Sequence, residues 1–147
     1  MANINFINNF IAQCETLVAE YNQVEADYIK CDGNVAVCII DAEGNVYGKV
    51  FGTDKIKSRE TFETAWRKAS QVHITGIKTG DYEKLVFNEE INDKQFGIKR
   101  CDFIGFKGGM PLQLKDGSTL SVGFSGFRGV TDVVLIERAV VAVEKGL

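Results

Sequence analysis

The chain has 147 residues and a formal net charge of −3, with ordinary apolar and charged fractions, so one folded domain spanning 1–147 with a real core is expected. The acidic balance leaves no electrostatic footprint for nucleic acid or an anionic membrane, and no apolar run is long enough to span a bilayer. The four cysteines (Cys14, Cys31, Cys38, Cys101) have no CxxC spacing and no histidine cluster beside them. They read as free thiols in a reducing cytoplasm rather than as a zinc site. The N-terminus lacks a basic region followed by an apolar stretch, so no secretory signal is visible.

Ile7, Phe10, Ile11, Cys14, Leu17, Val18 and Tyr21 recur at helical spacing and predict an amphipathic helix over about 4–28. Asp32-Gly33-Asn34 marks the break after it. Val35 to Ile40 is a near-continuous β-branched run, expected as a central strand covered on both faces. A Glu43-Gly44-Asn45 turn returns the chain through a second strand, Val46 to Phe51. Ser58 is placed to cap a further helix whose apolar stripe is Phe62, Ala65, Trp66, Ala69, Val72 and His73, ending at Gly76 or Gly80. Asp81 to Asn88 suits a short helix, and the charged remainder to Arg100 a lid or rim. Cys101 to Phe106, Pro111 to Leu114 and Thr119 to Ser125 are three more expected strands, the last two joined by an Asp116-Gly117 turn. A last helix starts near Thr131 or Asp132 and buries Val133, Ile136, Val140 and Val143. Hairpin links and flanking helices together predict an α+β layered domain around an antiparallel sheet of five strands.

Three features carry candidate chemistry. His73 is the single histidine; its spacing sets it with Phe62, Trp66 and Ala69, as an iron ligand, a proton-transfer group or a satisfied core residue. Gly108-Gly109-Met110-Pro111 is either a pocket wall of bare main chain with Met110 as an adaptable contact, or a sheet corner that needs glycine. The stretch from Ser125 through Gly126, Phe127 and Arg128 to Asp132 enters a helix, where free N–H groups and Arg128 suit a carboxylate; helix capping is the plainer account. No phosphate loop, dinucleotide fingerprint or nucleophile elbow is present.

Four segments resemble, in order, the GlcG/HbpS-like haem-binding family, related to the C-terminal domain of PduO-type proteins. They are Val37 to Asn45, Trp66 to Ala69, Gly108 to Leu112, and Val122 to Gly126 followed by Asp132. The resemblance implies a profilin-like fold with a five-stranded antiparallel sheet and a tendency to form homo-oligomers. It also implies haem or a related small ligand held in a pocket or between subunits; some members are described as haem-degrading. On this basis the chain is expected to be a small cytoplasmic haem- or tetrapyrrole-binding protein. His73 would be the metal ligand, Gly108, Gly109 and Met110 would admit the macrocycle, and Gly126, Arg128 and Asp132 would hold a propionate. Two alternatives stand beside it. One is a cofactor-independent isomerase, cyclase or lyase in a biosynthetic pathway, with His73 as acid/base near Asp41 or Asp132; the other is a scaffold protein whose apolar edges serve assembly.

Overall fold

A computed structural model describes residues 4–146, except the side chain of Asp93. The elements are α1 (Ile4–Tyr21), α2 (Glu25–Cys31), β1 (Ala36–Asp41), β2 (Val46–Val50), α3 (Lys55–Thr75), α4 (Thr79–Phe87), a 3-10 turn (Asp93–Phe96), β3 (Gly109–Gln113), β4 (Thr119–Ser125) and α5 (Gly129–Glu144). All strand pairs are antiparallel and the order is β2-β1-β4-β3.

The sheet divides two layers of helix. Val35 just before β1, Val37 and Ile39 within it, and even-numbered residues of β4 (Leu120, Val122, Phe124) enter the larger core. There they meet Phe10, Cys14 and Leu17 of α1 and Leu135, Ile136 and Ala139 of α5. The other face of β1 (Ala36, Cys38, Ile40) meets Ala65 and Ala69 of α3. Covered on both sides, β1 is buried along its whole length, as its unbroken apolar run predicts.

The α3 face is made for close approach. Register places Gly48, Cys38, Gly123 and Gly109 side by side, one small residue from each of the four strands. A methyl group at Gly123 would fall on the Ala65 carbonyl and lie 2.7 Å from the Ala69 nitrogen; one at Gly109 would lie 2.5 Å from Thr79 Cγ2. The glycines therefore let α3 settle onto the sheet.

Several expectations are corrected. The sheet has four strands, because residues 101–106 do not pair with it. The Gln71 amide takes the strand neighbour's place at Ile104: Ile104 N–H donates to Oε1 (2.7 Å) and Nε2 donates to the Ile104 carbonyl (2.9 Å). The first predicted helix is two, parted at Asn22–Val24, with Asp32 left-handed at the end of α2. Asp54, not Ser58, caps α3, accepting from Ile56 and Lys57 N–H; Ser58 lies inside, its hydroxyl donating to the Asp54 carbonyl at 2.6 Å. The buried stripe of α3 is Ser58, Ala65, Lys68, Ala69, Gln71 and Val72, rotated by roughly 60° from the predicted one. Small residues must face the glycine row, so Trp66 and His73 are left exposed. Last, α5 starts at Gly129, with Leu135 and Ala139 added to its buried face.

The glycine row makes a direct prediction. Gly123→Ala should destabilise the fold by about 1–3 kcal/mol through overpacking under α3, read as a lower denaturation midpoint with an unchanged slope. Wild-type stability in that variant would show that the contact is not close.

Candidate functional site

Seating α3 on the sheet delivers Lys68 to the end of β4, facing α5. Lys68 and Asp132 form an ion pair at 3.4 Å, with side chains only 3% and 2% exposed. Lys68 Nζ also donates to the Phe124 carbonyl at 2.8 Å, and Asp132 Oδ1 accepts the Phe127 N–H at 3.2 Å. The pair thus closes the corner where β4 turns through Gly126 (φ +128°) into α5, a conformation in which a side chain would be strained and would strike Val35. Burial pushes the Asp132 carboxyl up to about 7 despite the lysine beside it. Burial likewise lowers Lys68, while Asp132 opposes that shift.

A second buried acid holds the same corner. Asp27 of α2 accepts from the Arg128 backbone N–H (3.1 Å), from its Nε (2.9 Å) and Nη2 (3.3 Å), and from Thr131 Oγ1 (3.0 Å). Burial works to raise Asp27, but the bonds from Arg128 and Thr131 outweigh it and hold it below the usual carboxylate range.

A cavity of about 390 Å³ opens on this corner, with Lys68, Asp132, Ser125, Gly126 and Gly129 in its wall. Lys30, Lys57 and Lys107 also line it; with Lys68 they stand against Glu60, Asp132 and the Asp32 that pairs with Lys57, so the cavity keeps an excess of one positive charge. Lys30 reaches the Phe127 carbonyl at 3.1 Å, and Lys57 reaches Asp32 at 3.1 Å. A second cavity, of about 330 Å³, lies across Lys107, walled by Gly108, Gly109, Met110, Val130 and Val134. The arrangement suits a small molecule with a negative charge: cations at the mouth, and an amine and a carboxyl in the wall.

The expected site residues are dispersed. Gly126 and Asp132 line the first cavity, and Gly108, Gly109 and Met110 the second. A side chain at Gly108 would meet the Phe124 carbonyl at 2.5 Å and Lys68 Nζ at 2.8 Å, so this glycine is filled in by protein on that side. Arg128 is bound bidentately to Asp27. His73 lies on the exposed side of α3 and lines neither cavity, which corrects its expected place with Phe62 and Ala69. Asp41 is engaged at the β1–β2 turn by the N–H groups of Glu43 and Asn45, the Asn45 amide and Tyr47. No group of three or more His, Cys, Asp or Glu suited to a metal ion exists among the described residues. Lys68, within the Trp66 to Ala69 segment, had no expected role in the site. Its signal was a charge three residues after Ala65 and four before Val72, in the middle of an apolar stripe.

The family model described as haem degrading protein HbpS-like matches residues 15–141. The structure resembles the crystal structure of HbpS (TM-score 0.63, 19% identity, 97% of this chain and 89% of that one). It also resembles the ORFY protein of Klebsiella pneumoniae (0.71, 17%, 97% and 90%) and PduOC solved as a heme complex (0.65, 20%, 90% and 91%). At these identities the likeness speaks for the fold. A comparison with curated proteins finds no match.

The shifted carboxyl sets a pH dependence. The folded-state value of Asp132 lies above its unfolded value, so folding retains a proton there and this group's stabilising contribution fades as pH rises from about 4 to about 7. Melting curves of wild type and Asp132→Asn should therefore diverge, with wild type losing ground to the variant across that window. Parallel pH profiles would show Asp132 to titrate normally.

Proposed function

The chain belongs to the HbpS-like family, and on that premise we propose that it binds a small anionic ligand, with haem the first candidate, at the corner between α3, β4 and α5. The observation that carries this reading is the cationic cavity built on the Lys68–Asp132 pair, bordered by the start of α5. Relatives of the same fold include a protein solved with heme.

The residues fit the acidic edge of haem. Lys30 and Lys107 at the mouth suit its propionates, and the exposed Phe106 offers apolar contact. They do not offer the iron an imidazole, because His73 is on the outer side of α3. Ligation by His73 would set the macrocycle outside the cavity, on the helix surface. A ligand in the cavity would meet carboxylate-binding groups and the Cys31 thiol, whose burial raises its pKa and disfavours the thiolate that would ligate iron. The reading therefore rests on the anion rather than on the metal. Assembly into homo-oligomers, which the resemblance also implies, would give a flat ligand a second wall.

Hemin titration tests this. Binding should shift the Soret band and should weaken about tenfold in Lys30→Glu/Lys107→Glu, while His73→Ala binds like wild type. An unchanged spectrum on adding hemin would remove haem as the ligand. Loss of binding in His73→Ala alone would move the iron to the outer face of α3.

A further inference from the structure

We propose that Lys68 is an imine-forming amine and that the cavity around it accepts a small oxo acid, a carbonyl compound that carries a carboxylate. The inference deepens the reading of this cavity as an anion-binding site and rests on it.

Three observations converge. First, the lysine is fixed: its Nζ is held at 2.8 Å by the Phe124 carbonyl and at 3.4 Å by Asp132, with the side chain 3% exposed. An ammonium carries three N–H groups, and these two bonds use two of them. Second, both residues are in the wall of the cavity, so the pair borders the space that a small molecule would enter. A buried ion pair is weak support for stability by itself, since an apolar pair of similar size often serves as well. Third, the cavity supplies what an oxo acid needs besides the amine. Lys30 and Lys107 can hold the carboxylate, and the hydroxyls of Thr64 and Ser125 lie in the same wall. Burial favours the uncharged amine, which is the nucleophile.

The chemistry balances within the pair. One proton passes from the Lys68 ammonium to the Asp132 carboxylate along their contact. The amine nitrogen then bonds to the carbonyl carbon, giving a carbinolamine after its proton moves to the oxygen. Protonated Asp132 gives its proton to the hydroxyl, the carbon–oxygen bond breaks, and water leaves. The products are an iminium on Lys68, one water and the Asp132 carboxylate, with no oxidant or reductant consumed. An iminium beside a carboxylate withdraws electrons from the neighbouring carbon, the requirement shared by lyases and isomerases of oxo acids.

Reductive trapping decides the matter in the wild-type protein. Folded protein is incubated with pyruvate and sodium cyanoborohydride, digested and mapped by mass spectrometry. The adduct should sit on Lys68, at least about tenfold above labelling by acetone, which has the carbonyl without the carboxylate. Asp132→Asn should slow trapping, and Lys68→Arg should abolish it at that site. Label confined to surface lysines, or appearing on Lys68 only in denaturant, overturns the proposal, and equal labelling by acetone overturns the oxo-acid class. Because the map is read on wild type, a variant that fails to fold leaves the test intact. Hemin binding without Lys68 labelling would sink this proposal alone; labelling without hemin binding would sink only the haem reading.

Discussion

The structure depends on how closely α3 can lie against the sheet. Gly48, Cys38, Gly123 and Gly109 form a shallow trough one residue wide across all four strands, and Ala65 and Ala69 sit down in it. Any larger side chain along that row would lift the helix. A lifted α3 would withdraw Lys68 from Asp132 and leave an unpaired charge on each side, a far greater cost than the lost van der Waals contact. The glycines act at a distance from the cavity by setting the depth of the helix that furnishes its amine.

The corner between β4 and α5 is held by two acids with opposite electrostatic character. Asp27 is surrounded by four donors from Arg128 and Thr131 and is stable as an anion. Asp132 has one lysine and one backbone N–H, and burial favours its proton. Asp27 thereby anchors the start of α5, while Asp132 keeps the capacity to exchange a proton. That division leaves one carboxyl held as an anion and brings the other close to its protonation point.

Much of the fold was legible in local pattern. The apolar run of β1, the Asp116-Gly117 hairpin and the amphipathic stripes of α1 and α5 all follow from the periods of strand and helix. The fifth strand was not, because nothing local reveals that the Gln71 side chain, thirty-three residues away, satisfies the backbone of Ile104. The phase of α3 was misread because Phe62 and Trp66 outweigh Ala65 and Ala69 in hydrophobicity, whereas the glycine row selects by size. The same error put His73 inward and hid Lys68. For the site, the region around Gly108 and the Gly126–Asp132 turn was legible; the amine across from Asp132 was not, since a lysine in a helix ordinarily reads as surface.

The two borders of the sheet are chemically unlike. Phe124 N–H donates to the Gly108 carbonyl and Leu114 N–H to the Ser118 carbonyl, so even-numbered residues of β3 bond inward and Gly109, Pro111 and Gln113 turn outward. Gly109 N–H is already taken by Thr79 Oγ1 at 3.1 Å, and Pro111 has no hydrogen to give. On the opposite border Phe51 N–H reaches the Val35 carbonyl, which leaves Val46, Gly48 and Val50 pointing away from β1. One selvedge of the fabric is hemmed at two places, by a threonine and a pyrrolidine ring, while the other runs along an exposed strand.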